Sequence, residues 1–333
     1  MSEIRTYVAR SFDDPRCGPE RWDAILRRGT TDVIYLTWYW QKAWWETLGR
    51  GELLLIVAER DDLPIAMAPL MVIDGMVYFV GTSRGGADCL DFVGDISDPD
   101  VLLAILRTAR DAVRNFIGFK LFFVPDYSPT GQFLEHVAER MGLYHYLRDE
   151  IVNPVIDLKQ RADEVQETLR GNFFRREKRL RKKGSLVVHS ETEFARIRTY
   201  IDEFYRFHEE QWRSKGIDSE LATPAQKAFL ARLVELTRDT GWGRFLRIEW
   251  EGQFLAAEFE WYYRDTHFSG PWCYNIAFAN HSPGQVLLRQ LLLSAVEAGL
   301  GKFDLGIGDQ AYKLRLPVNL INCQTWGLCR PDA

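Results

Sequence analysis

The chain has 333 residues, 46% hydrophobic and 13% aromatic, and a formal net charge of −5. This composition supports one large or two smaller folded domains and carries no signature of disorder. Its net acidity argues against a protein built to coat nucleic acid, so DNA is not an expected partner.

No apolar run reaches membrane-span length and MSEIRTYVAR lacks an apolar signal core, so no transmembrane segment and a cytoplasmic location are expected. Cys17, Cys89, Cys273, Cys323 and Cys329 are scattered and form no CxxC, which reads as reduced thiols. The histidines show no HExxH or HxxxH spacing, so no metal site is expected.

In chain order, RTYVARSF reads as a strand, and aromatic-rich helical stretches follow around Trp22 and Trp38–Trp45. ELLLIVAE, LPIAMAPLMVI and MVYFVG read as three strands. A helix in DPDVLLAILRTARDAVRNF, the strand KLFFVP and a helix in GQFLEHVAERMG complete the first half. The second half repeats this order. SLVVHS is a strand, TEFARIRTYIDEFYRFHEEQWRSKG a long helix, and Thr223–Gln226 opens another helix. RFLRIEW, QFLAAEFEWYY and THFSGPWCYNIAF are strands, the first two joined by a Glu251-Gly252 turn. A helix from Ser282, the strand KFDLG and a last strand in CQTWGL follow. The expected organisation is therefore two divergent copies of one α/β unit, residues 1–155 and 156–333, each a mixed, mostly antiparallel sheet flanked by helices.

Ser282-Pro283-Gly284 starts a strongly apolar helix, with Ser282 as N-cap and Pro283 at the first position. A capped helix is one reading. A helix start after a central strand also offers N–H groups and partial positive charge to an anion. The first-half counterpart carries Asp95, Asp98 and Asp100, which cap a helix but repel phosphate. Gly306-x-Gly308-x-x-Ala311 mimics a dinucleotide fingerprint, but Pro317 leaves no room for the helix and strand that motif needs.

Three meandering strands followed by a helix and a parallel strand resemble the GNAT acyltransferase fold, here in two tandem copies. Within it, Ser282-Pro283-Gly284, Phe303-Asp304, Gly308-Asp309 and Tyr312-Lys313 resemble the C-terminal signature of CelD-type acetyltransferases, associated with cellulose and exopolysaccharide synthesis. RREKRLRKKG and FHEEQWRSKG are similar to that family as well. The resemblance is specific from about Arg170 onward, and Fem-type peptidoglycan aminoacyltransferases are more distantly similar. It implies acetyl-CoA or another acyl-CoA as donor, bound by the C-terminal copy at His281, Ser282, Pro283, Gly284 and Gln285. This chain has one glycine at that turn where the family usually has several.

Strand alternation places Ala256, Glu258, Glu260 and Tyr262 on one face of QFLAAEFEWYY. Glu258 or Glu260, if buried, suits a general base that deprotonates an acceptor amine; two solvated or salt-bridged carboxylates are the other reading. Asp309, Tyr312 and Lys313 follow the last parallel strand, where ligands gather in open sheets. Tyr312 is a candidate proton donor to a leaving thiolate and Lys313 a candidate ligand for a phosphate or acceptor carboxylate; an Asp–Lys pair fixing the loop is the other reading. His208 is a second candidate base, at helical spacing with Phe204 and Trp212, which equally fits a packed histidine. The basic run containing Arg175 and Arg176 suits an anionic partner, from a coenzyme phosphate to a saccharide acceptor or a membrane surface, or is a solvated helix face. Trp38, Trp40, Trp261 and Trp272 are candidates either for stacking on an acceptor between the halves or for the core. The expected function is acyl transfer to an amine or hydroxyl of a sugar, polysaccharide precursor or amino-acid-like acceptor. A Fem-like transferase using aminoacyl-tRNA and a catalytically inactive partner of a polysaccharide-synthesis system are the alternatives.

Overall fold

The computed structural model describes residues 3–82 and 86–331. They fall into two compact units, Met1–Val152 with Ile321–Ala333, and Asn153–Leu320.

The first unit holds β1 (Ile4–Ala9), α1 (Pro19–Leu26), α2 (Trp38–Leu48), β2 (Glu52–Arg60), β3 (Leu63–Ile73), β4 (Met76–Phe79), the short β5 (Val93–Gly94), α3 (Pro99–Ala112), β6 (Gly118–Pro125), α4 (Pro129–Met141) and most of β7 (Tyr144–Asp157). β1 to β4 form an antiparallel meander, and β6 joins β4 in parallel through Met76–Tyr78. Its tight turns are written in the sequence: Asp61-Asp62 and Asp74-Gly75 all take positive φ, as two-residue hairpin turns require. Asp98 caps α3 by accepting from the Asp100 backbone and pairs with Arg60, so this helix start is closed by carboxylate.

The second unit repeats the order. It contains α5 (Ala162–Arg170), α6 (Asn172–Lys183), β8 (Leu186–Glu191), α7 (Phe194–Arg213), α8 (Pro224–Leu236), β9 (Gly243–Trp250), β10 (Gln253–Tyr263), β11 (Thr266–Tyr274), α9 (Pro283–Glu297) and β12 (Lys302–Asp304). β8 to β11 are antiparallel neighbours, β12 pairs with β11 in parallel, and the end of β7 pairs with β12. Glu251-Gly252 makes the expected turn, both residues with positive φ. α9 buries Val286, Leu287, Leu291, Leu292 and Ala295 against one sheet face, in a cluster with Val165 and Leu169 of α5 and Leu180 of α6. α7 covers the opposite face, where the Phe204 ring lies 5.0 Å from Phe259 and Phe207 stacks on Phe254 at 4.1 Å.

β13 (Asn319–Cys329) departs from the expected organisation. It pairs antiparallel with β6, from Cys323 opposite Pro125 to Cys329 opposite Gly118, so the C-terminal strand returns to the first unit instead of closing the second. The basic run lies on α6, separated from α5 by a break at Gly171. Among the described residues no helix is long and apolar enough to cross a membrane.

Candidate functional site

The site is built on the β10–β11 hairpin. Glu258 lies opposite Trp272 and Glu260 opposite Ser269, so Phe259 faces two residues, Gly270 and Pro271. This is a β-bulge, and its residues suit it. A Cβ on Gly270 would sit 2.2 Å from the Phe259 carbonyl oxygen, and Pro271 has no N–H for the ladder to lose. The bulge keeps Ser269 and Trp272 on the face of Glu258 and Glu260, the α9 side.

Pairing of β11 with β12 runs only from Thr266–Phe268 to Lys302–Asp304. β11 continues to Tyr274, whereas the chain beyond Asp304 turns away through Gly306 and Gly308, both at positive φ. The two parallel strands therefore part beside Ser269 and Trp272.

Glu258 is 4% exposed, and Glu260 and His267 are fully buried. Nδ1 of His267 lies 3.0 Å from Oε2 of Glu260, and Nε2 lies 3.8 Å from Oε1 of Glu258. The 3.0 Å contact is an ion contact out of hydrogen-bond alignment, since neither Nδ1 nor either Glu260 oxygen has a hydrogen-bond partner. The imidazole stacks on Phe303 with centroids 3.9 Å apart and planes 8° from parallel. Burial raises the Glu258 carboxyl above its usual range, His267 opposes that shift, and the charge of Glu260 adds to it. Burial would lower His267, but its contacts with the two carboxylates outweigh burial and hold it at about 9.

Tyr312 stands at the mouth of this face, its ring edge-on to Trp272 at 6.3 Å, and is 40% exposed. Burial, with the Glu258 charge behind it, raises its hydroxyl to about 12, so it is a protonated donor at neutral pH. Asp309 is on the exposed surface of the same loop.

At the start of α9, Ser282 takes the N-cap position but not the expected role. It is left-handed (φ 57°, ψ 51°), and its hydroxyl makes no capping hydrogen bond. Left-handed backbone costs a non-glycine residue about 1–2 kcal/mol. Pro283 has no N–H, and the Ser282 carbonyl accepts from Gln285 and Val286. The helix start thus offers its positive end with the serine hydroxyl unspent on the amides. A Cβ on Gly284 would lie 3.4 Å from the Trp272 ring, so a larger residue there would press on the tryptophan. Oε1 of Gln285 is buried without a partner, and His281 stacks obliquely near Trp250 at 5.0 Å. A polar turn with unspent hydrogen-bonding groups at a helix N-terminus fits a coenzyme's phosphates.

Two further candidates are tied up within the protein. His208 lies on α7, across the sheet from the carboxylates. Its Nε2 accepts from Trp212 at 3.1 Å, so Nδ1 donates to Ser219 at 2.9 Å; burial lowers its pKa to about 4. With both nitrogens engaged, His208 fits the packed reading. Lys313 is also buried, donating to the carbonyls of Gly306 at 2.8 Å and Ile307 at 2.9 Å beside Asp304. These bonds fix the loop. Asn153 donates to Asp304 from the other side at 3.1 Å.

Arg175 is exposed on α6 and donates to Asn172, while Arg176 is half-buried. The inner face of α6 carries Glu177, a buried carboxylate that accepts from Arg181, Arg289 and Gln290 and so ties α6 to α9. Trp261 is buried on the α7 face of β10, and Trp40 is buried with its indole donating to Gly86. Sequence reasoning missed His267, Ser269 and Glu177. The Gly-Pro inside a strand was the available signal for the bulge that brings the first two to the site.

Residues 168–314, the stretch holding β10, the bulge and α9, match the family described as an acetyltransferase (GNAT) domain. Among solved structures, the whole chain is similar to FemX, at 12% identity and TM-score 0.68, covering 93% of this chain and 95% of that one. It is also similar to L-PGS from Bacillus licheniformis (13%, TM-score 0.57, 95% and 92% covered). A tandem GNAT protein from the clavulanic acid biosynthesis pathway aligns at 10% identity and TM-score 0.53, covering 98% of both chains. At these identities the likenesses establish the fold. No curated protein matches the chain.

Proposed function

We propose that the second unit transfers an acyl group from an acyl-CoA thioester to an amine of a small saccharide-like or amino-acid-like acceptor, in a single displacement on the β10–β11 face. The observation that carries this reading is Glu258, a buried carboxylate of raised pKa beside the point where β11 and β12 part. The coenzyme supplies the activated acyl group, and Ser282, Gly284 and Gln285 at the α9 start would hold its phosphates. Glu258 takes a proton from the attacking ammonium, which leaves the nitrogen lone pair free to form the new C–N bond. Tyr312 gives its proton to the sulfur as the C–S bond breaks and recovers one through solvent. Trp272 walls the site between Gly284 and Tyr312. The first unit, whose matching helix start is closed by Asp98, acts without coenzyme.

The resemblance to CelD-type proteins supports a saccharide or polysaccharide-precursor acceptor. The exposed cations of α6 and the likeness to FemX favour, as a second reading, an aminoacyl-tRNA donor. An assay with acetyl-CoA and a panel of amino sugars and amino acids, run beside aminoacyl-tRNA, separates the two. Release of free thiol with the wild type and a 10²- to 10⁴-fold slower rate with Glu258→Gln is the expected result. Transfer from aminoacyl-tRNA alone would overturn the acyl-CoA reading.

A further inference from the structure

His267 has no part in the reaction described above, yet it is completely enclosed in the second unit. It is fully buried, flanked by two carboxylates, and clamped face to face against Phe303. A neutral imidazole there would leave two carboxylates buried side by side, an arrangement in which one proton is strongly retained. We propose that His267 is held as an imidazolium between Glu260 and Glu258, a positioning residue that sets how tightly Glu258 holds its proton. The inference rests on the assignment of Glu258 as the base but is tested apart from it.

The surroundings define the charge balance. On β10, Glu258, Glu260 and Tyr262 face the ring, with Tyr262 at 5.5 Å. On β11, the Ser269 hydroxyl lies 3.5 Å from Nε2. On β9, Arg244 stands opposite Glu260 in register, and its guanidinium lies over Tyr262 at 4.3 Å. On β12, Asp304 adds a negative field but is itself tied to Asn153 and near Lys313. Glu297 of α9 acts on Tyr262. Of these charges, Glu260 makes the 3.0 Å contact, while Arg244 offsets only part of the carboxylate charge. The arrangement keeps the histidine protonated through neutrality, in line with its value of about 9. Removing that positive charge leaves Glu258 facing Glu260 alone, and the Glu258 proton is then held more tightly.

The test is nitrogen-15 and carbon-13 NMR of the whole chain across pH 5 to 10. The His267 ring signals are those displaced in both Glu260→Gln and Glu258→Gln, and the Glu258 carboxyl signal is the one lost in Glu258→Gln. We expect both His267 nitrogens protonated at pH 7.5, a midpoint near 9, and a fall of more than one pH unit in Glu260→Gln. In His267→Asn or His267→Gln, the Glu258 midpoint should rise by at least one unit. A neutral tautomer at pH 7.5 in the wild type, or a Glu258 midpoint unmoved by either substitution, overturns the proposal. If both His267 variants unfold, the wild-type titration still decides it. Undiminished transfer by Glu258→Gln would instead defeat the base assignment and leave the charge of His267 to be judged on these spectra.

Discussion

Two buried histidines separate roles that residue type alone does not. Both are buried in the second unit, one on each side of its sheet. His267 meets two carboxylates and is held charged; His208 meets Trp212 and Ser219 and is held neutral. The sign for His208 follows from its depressed value of about 4 against 6.5 when unfolded. Its stabilisation is complete above about pH 6.5 and is lost as pH falls toward 4, by an amount of order 3 kcal/mol. Urea unfolding from pH 7 to pH 4 should therefore show a stability loss that shrinks in His208→Gln, and an unchanged slope in that variant would contradict the assignment. The alternation of QFLAAEFEWYY placed Glu258 and Glu260 on one face, because period 2 is a property of the strand itself. His267 was illegible from spacing because its partners are made by hairpin register, which the Gly-Pro bulge shifts.

At the level of elements, α9 was readable in full from Ser-Pro-Gly and its apolar stripe. The cap geometry was not: a serine normally caps with its hydroxyl, and only the backbone shows that this one is left-handed. The basic run was read as a charged helix, which holds for its outer face. Its inner face was missed because Glu177 is one acid among many cations, and its partners Arg289 and Gln290 are over a hundred positions away. Removing this carboxylate leaves Arg289 partly buried and unpaired, a loss that typically costs about 3–5 kcal/mol. Glu177→Ala should lower the unfolding free energy of the second unit by that order in urea denaturation, and Glu177→Gln by less. A change below about 1 kcal/mol would mean that α6 is not anchored through Glu177.

For the whole chain, periodicity reads as two copies of one unit, and the chain divides into Met1–Val152 with Ile321–Ala333 and Asn153–Leu320. What periodicity cannot supply is the partner of a strand. CQTWGL was legible as a strand, but sequence neighbours usually pair, and this one instead returns to β6. Cys323 and Leu328 are fully buried there. Ending the chain after Leu320 should therefore strip hydrogen-exchange protection from β4 and β6 while leaving β9 and β10 protected. Loss of protection in β9 and β10 instead would contradict the assignment of β13 to the first unit.

The central claim is that an acyl-CoA is held where α9 begins, against Trp272. Thermal unfolding with and without acetyl-CoA tests it most directly. At a hundredfold excess over Kd, binding to the native state adds about 2.7 kcal/mol, a shift of several degrees. The account predicts that shift in the wild type and in Glu258→Gln, and its loss in a folded Gly284→Trp variant. No shift with any acyl-CoA, or an equal shift in Gly284→Trp, would contradict it.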